Sequence, residues 1–402
     1  MLKKSNAVDL RERKFTVTRL MWHRLYIVWL ILCFPGSWID GSEAGGPQER
    51  HAPEITVVTV ADKGVLNVPP EIKGRDGGYS TRFRGLSVWV YGDTITGGEK
   101  GIGRRLYSNS WAWTRDDDAS DGLGPFEHPT NPDGRPTPLL PFTGTERKFN
   151  DDHLFENCRI EPCGARLALW PGEIVADPSR QRMILFYEKV YVRPGDLNIY
   201  PIGHSLAVWK SLKRPPQRVR FNTDKNHPTL MFHIGEPGFG SAAVLMESML
   251  YVYGCDRQGH RKPCRVARVN MGDVVIKDQW EIYSPDGNWD KDLTRGKVVF
   301  NGNGIMSVAF NPFLDRLVAV YSQPMSTAVM FRTAEHPEGP WSRPVEAFKA
   351  MASSSTHGWV YDAVEHFEYR MENGRVLIIT YSRKTGPFSF ETRWVIVEIG
   401  RI

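Results

Sequence analysis

The chain has 402 residues, 41% hydrophobic and 24% charged, and a formal charge of +5. Residues 1–44 carry seven Lys/Arg against four acids, so +3 of that charge lies there and +2 in the remainder. A nearly neutral body excludes a charge-driven nucleic-acid partner, and the one basic stretch, KSLKRPPQRVR (210–220), reads as a solvated loop because of its two prolines. Plentiful Gly (37), Pro (28) and aromatic residues (11%) suit many short strands joined by tight turns.

Residues 1–44 read as a signal peptide with its processing region. Seven basic residues precede LYIVWLILCF (25–34), an apolar run of ten followed by the small residues Gly41, Ser42 and Ala44. Ten residues are too few for a membrane-spanning helix, which needs about 20. A basic flank, a short apolar run and a small-residue tail fit export; the alternative is a short membrane-proximal anchor. The expected location is therefore secreted or cell-envelope, with no stable membrane span after processing. Cys158/Cys163 and Cys255/Cys264 are close pairs that an oxidising compartment would join as disulfides. Neither pair has metal-ligand spacing, and no metal or cofactor is expected.

From residue 45 onward the chain shows alternating or wholly apolar runs of four to eight residues bounded by Gly, Pro, Asp and Asn, the pattern of strands. EITVVTVAD (54–62) stands alone. Then one motif recurs: LSVWVYGDT, RMILFYEK, MLYVYGCD, DRLVAVYSQ and RVLIITYSR each end an apolar strand in a tyrosine, at Tyr91, Tyr187, Tyr253, Tyr321 and Tyr381. A strand precedes each (GGYSTRF, GEIVAD, GSAAVLME, GIMSVAF, YDAVEHFEY) and another follows (NSWAWTRD, HSLAVWKS, RVARVNM, TAVMFRT, RWVIVEI). Five antiparallel triplets predict an all-β, five-bladed β-propeller over 45–402, with an insertion at 120–165 and the early strand pairing with the last blade to close the ring. A β-sandwich, or two small β domains, is the competing architecture.

In such a ring the residues that open the first strands converge on one mouth. They include Asp76, Glu173, Glu236 and Asp362, with His357 and Tyr361 beside the last. Asp93 ends the second strand of the first hairpin, so GRDGGYSTRFRGLSVWVYGDT (74–94) should fold Asp76 and Asp93 onto the same level. Two carboxylates in one open site suit glycosidic cleavage, in which one protonates the leaving oxygen and the other activates water or attacks the sugar. Tyr79, Trp111 and Trp170 could stack on sugar faces, with Glu173, Glu236, Asp362 and His357 as further substrate contacts. Asp93 could instead cap a turn, and Asp76-Gly77 could be an ordinary hairpin dipeptide.

WVYGDT, RDGGYS, NSWAWT, WPGEIVAD and EGPWSRP resemble a family of exported bacterial proteins catalogued as a domain of unknown function, some members of which are endo-acting glycosidases of D-arabinan. The resemblance spans roughly residues 55–400. It implies a five-bladed propeller whose active-site acids fall on Asp76 and Asp93, a glycan substrate and no cofactor. The insertion and the 255–264 loop depart from that pattern. A monomeric exported glycoside hydrolase is thus expected; the alternative is a non-catalytic carbohydrate-binding or scaffold propeller.

Overall fold

In a computed structural model of the protein, the described residues are 54–97, 105–195, 198–221, 224–256, 260–353, 358–386 and 389–402. The expected leader and His357 lie outside them. Gly46–Ile402 forms one compact unit. Among the described residues no helix is long and apolar enough to cross a membrane.

The architecture is all-β. Strand β1 (Ile55–Val65) comes first, followed by β2 (Ile72–Arg75), β3 (Tyr79–Phe83), β4 (Leu86–Tyr91), β5 (Thr94–Thr96), β6 (Leu106–Tyr107) and β7 (Ser110–Thr114). These form two sheets, β3-β4-β7 and β2-β5-β6. After helix α1 (Gly144–Asp152) come β8 (Arg166–Asp177), β9 (Arg182–Val192), β10 (Ile199–Trp209), β11 (Gln217–Arg218) and β12 (Phe232–His233). The third group is β13 (Ala242–Met246), β14 (Met249–Cys255), β15 (Pro263–Asn270), β16 (Glu281–Tyr283), β17 (Trp289–Asp290) and β18 (Phe300–Asn301). The fourth is β19 (Met306–Asn311), β20 (Arg316–Ser322), β21 (Ala328–Ala334) and β22 (Val345–Lys349), and the last is β23 (Tyr361–Glu365), β24 (Val376–Gly386) and β25 (Ser389–Arg401).

The five tyrosine-bearing strands are β4, β9, β14, β20 and β24, and each is the middle strand of an antiparallel triplet. A middle strand packs on both faces, which is why Met183–Val190 is buried without a break. β1 pairs antiparallel with β25 from Ile55↔Arg401 to Val65↔Arg393, so the solitary early strand joins the last sheet. First strands pack in series, β3 on β8, β8 on β13, β13 on β19 and β19 on β23. The apolar cores lie between successive sheets, and one of them, with Trp89, Tyr91, Ile378 and Trp394, joins the last sheet to the first. The strand expected across YDAVEHFEY stops at Glu365, because His366–Tyr369 turns into a 3-10 segment.

Both cysteine pairs are disulfides, Cys158–Cys163 and Cys255–Cys264. The insertion is anchored rather than loose. Thr143 caps α1 in a capping box with Glu146. The buried Glu146 carboxylate accepts from Arg218 Nη1 at 2.6 Å and Nη2 at 3.0 Å, and from Lys189 Nζ at 2.6 Å. Burial alone would raise its pKa, but the two cations override that and hold it at about 2. Glu146→Gln should therefore cost about 3–5 kcal/mol in urea unfolding at pH 7, since it leaves two buried cations unmatched. A depressed carboxyl stabilises above its unfolded value of 4.5, so wild type and variant should converge as the pH falls from there toward about 2. A variant within 1 kcal/mol of wild type at neutral pH would contradict this role (about 1 kcal/mol being the usual worth of an exposed pair).

Candidate active site

Asp76 and Asp93 occupy one kink in a pair of neighbouring strands. The chain runs from β2 through Asp76–Gly78 into β3, reverses, and returns from β4 through Gly92–Asp93 into β5. Gly77 and Gly78 take φ of +70° and +138°, which side-chain-bearing residues rarely adopt, and so bend the incoming strand. Across the kink Asp76 N donates to Asp93 O at 3.2 Å, and Gly92 N donates to Asp76 O at 2.9 Å. A Cβ on Gly92 would stand 2.8 Å from Asp76 Oδ1, so a larger residue there would push that carboxyl aside. The expectation that the hairpin brings the two residues together is met. The difference is that both strands continue beyond them as β2 and β5, so the pair sits at a bend and not at an open hairpin end.

The two carboxyls have different surroundings. Asp93 Oδ2 accepts from Arg166 Nη2 at 2.5 Å, and its Oδ1 accepts from Trp170 Nε1 at 2.9 Å. Both donors belong to β8, so a neighbouring sheet supplies a cation and an indole to one carboxylate. Among the described residues no cation pairs with Asp76. Its Oδ2 accepts from the Tyr361 hydroxyl at 3.2 Å. Burial first, then the charges of Asp93 and Asp362, push its pKa well above the ordinary aspartate value. Tyr361 is driven up for the same reasons: burial, then Asp76 and Asp362. Asp362 holds φ +56°, a left-handed conformation that costs a non-glycine residue about 1–3 kcal/mol and that recurs at functional sites.

The other expected residues divide. Trp170 and Asp362 join the site, as described. Glu173 is buried, its Oε1 accepting from Ile174 N at 3.1 Å, and burial raises its pKa well above the ordinary value. Glu236 accepts from His233 N at 2.8 Å and pairs with Lys277 at 2.5 Å, a local turn clamp. Tyr79 is a core residue whose hydroxyl donates to Ser241 O at 2.7 Å. Trp111 is likewise in the core, edge-on to Trp209 with ring centroids 4.8 Å apart. Both are engaged in packing and almost wholly buried. Arg166 was missed, and nothing in GARLALW distinguishes it from a surface arginine.

Ser80, His366 and Thr380 form a chain that resembles nucleophilic machinery: Ser80 Oγ lies 2.6 Å from His366 Nδ1, and His366 Nε2 lies 2.8 Å from Thr380 Oγ1. His366 is fully buried, stacks on Trp89 at 3.9 Å and, through burial, titrates only near 3. A neutral, inaccessible imidazole backed by a threonine hydroxyl is a structural strut.

The sequence matches the family described as Domain of unknown function (DUF4185) over residues 69–364, and the chain belongs to that family. The match takes in Asp76, Asp93, Arg166, Trp170, Tyr361 and Asp362. No curated protein is detectably similar in sequence. Among solved structures, a candidate hydrolase from Bacteroides ovatus is similar at 16% identity over 81% of this chain and 86% of that one, with a TM-score of 0.50. A GH43_1 enzyme from Xanthomonas citri complexed with xylose follows at 9% identity, covering 83% and 89%, with a TM-score of 0.48. A glycosyl hydrolase from Bacteroides ovatus stands at 13% identity, 81% and 84%, with a TM-score of 0.44. At these identities the likeness to the first speaks to a shared fold alone.

The electrostatics of Asp76 are testable without a substrate. A carboxyl whose pKa is raised by folding loses stability as the pH climbs above its unfolded value of 3.8, because ionisation then opposes folding. Asp76→Asn should therefore raise the thermal midpoint at pH 7 by on the order of 2–4 °C and flatten its pH dependence between pH 4 and 7. A midpoint that falls instead would mean that Asp76 is a stabilising ionised partner.

Proposed function

We propose that the protein is an exported glycoside hydrolase built as a five-bladed β-propeller, cleaving an envelope or polysaccharide glycan of arabinan-type furanose units. The ring rests on the five triplets, on first strands packed in series, on β1 completing the last sheet, and on the core that joins that sheet to the first. A closed ring also removes the exposed edges that separate sheets would carry. The leader, residues 1–44, directs export, and the two disulfides suit an oxidising destination. The candidate hydrolase that shares the fold agrees in class.

The observation that carries the reading is the asymmetry of the carboxyl pair. Asp76 retains a proton, through burial and two neighbouring negative charges, and so acts as the general acid at the leaving oxygen. Asp93, charge-matched by Arg166 and oriented by Trp170, serves as the carboxylate that attacks the sugar or activates water. Tyr361 holds the acid in place, and Asp362 keeps its pKa high.

Reducing-end release from a panel of arabinans and other furanose and pyranose glycans is the test. Wild type should cut one furanose polymer, and Asp76→Asn and Asp93→Asn should each lose at least about 10³-fold in kcat. The alkaline limb of the kcat/KM profile should report Asp76, with rate falling as the pH rises through its raised pKa. The second reading, a carbohydrate-binding propeller, is favoured by the engagement of both Asp93 oxygens. It would be supported by a wild type that is inert on every glycan yet retained by one of them.

A further inference from the structure

Four of the five strand-end tyrosines have a hydrogen-bond partner for the hydroxyl, and Tyr91 lacks one. Tyr187 donates to Thr229 O at 2.6 Å, and its oxygen accepts from Arg218 Nε at 3.1 Å; that arginine is neutralised by Glu146. Tyr253 donates to Pro337 O at 2.7 Å. The Tyr321 oxygen accepts from Arg332 Nε at 3.0 Å, and Arg332 Nη1 donates to Ser342 O at 2.7 Å. Tyr381 donates to Asp62 Oδ2 at 3.2 Å, while Arg393 Nη2 donates to Asp62 Oδ1 at 2.8 Å. There, one carboxylate bridges a tyrosine hydroxyl and a guanidinium.

In the first repeat the tyrosine is Tyr91 and the arginine is Arg75, whose guanidinium carbon lies 3.5 Å from the centroid of the Tyr91 ring. Arg75 is 1% exposed. Its Nη1 contacts His128 Nδ1 at 3.3 Å, but its Nε and Nη2 have no partner, and neither has the buried Tyr91 hydroxyl. His128 supplies no negative charge: burial and Arg75 hold its pKa near 3, so it stays a neutral acceptor. No carboxylate pairs with Arg75 among the described residues. Three buried groups able to donate thus lack an acceptor, beside a cation matched by an aromatic face and a neutral imidazole alone, an arrangement that costs several kcal/mol if left dry. His128 also lines a cavity of about 350 Å³ with Glu71, Ser110, Trp111, Phe126 and Pro129, so a side chain that contacts Arg75 Nη1 borders open space.

We propose that Arg75 and Tyr91 form a binding site for one small monovalent anion of halide size, next to Asp76 in the chain. The geometry selects an anion because the unsatisfied guanidinium groups can only donate and the Tyr91 hydroxyl can donate beside them, and a small one because Arg75 is almost wholly enclosed. This site is independent of the reaction assigned above.

The test uses the purified exported form. Crystals soaked in sodium bromide should show an anomalous peak within hydrogen-bond distance of Arg75 Nε or Nη2. In solution, replacing gluconate by chloride at constant ionic strength should raise the thermal midpoint saturably by on the order of 2–6 °C. Arg75→Met should abolish that rise. Should Arg75→Met fail to fold, Tyr91→Phe removes only the unpartnered hydroxyl and should shift the half-saturating chloride upward roughly 3–10-fold. Identical midpoints in chloride and gluconate, with no bromide at Arg75, would overturn the proposal and leave the pocket to water. A chloride response unchanged in Tyr91→Phe would equally overturn the assignment of Tyr91.

Discussion

Everything distinctive in this structure follows from placing two like-charged carboxyls on either side of one strand kink. In water such a pair would stay ionised and move apart. Here the backbone forbids it, because Asp76 N bonds Asp93 O and Gly92 N bonds Asp76 O. The conflict is resolved unequally. Arg166 and Trp170 reach Asp93 from β8, whereas Asp76 receives a phenol and a backbone amide. One carboxyl is matched by a cation and the other has its pKa pushed up by burial and by the charges of Asp93 and Asp362, an inequality produced by which neighbouring sheet reaches which side of the kink.

That geometry needs a rigid surround. Gly77 and Gly78 supply the bend, and Asp362 accepts a left-handed backbone to stand close to Asp76. The insertion is fixed from its far side by the Glu146 cluster, and its His128 meets Arg75 on the strand that delivers Asp76. Buried charge therefore ties the insertion both to the second sheet and to the site strand. It forms a fixed wall of the molecule and not a loose loop.

Much of this was legible in the sequence because it is written in local pattern. Five apolar strands that end in tyrosine predicted five middle strands, and the close cysteine pairs predicted both disulfides. The spacing of Asp76 and Asp93 across one hairpin placed them together, since strand pairing converts spacing into adjacency. Illegible were the facts set by contacts between sheets. Arg166 is unremarkable in its own stretch and becomes decisive only when β8 packs beside the kink. Tyr79 and Trp111 read as sugar platforms, yet they face the core, because aromatic character alone does not tell a binding face from a packing face. Ser80 and His366 lie 286 positions apart, and no local pattern joins them.

The central claim is a statement about where one proton resides. Neutron diffraction from deuterium-exchanged crystals at neutral pH observes it directly. The account requires deuterium on an Asp76 carboxyl oxygen and none on Asp93, with Tyr361 donating to Asp76 and Arg166 to Asp93. A bare Asp76, or a deuteron on Asp93 instead, would contradict it.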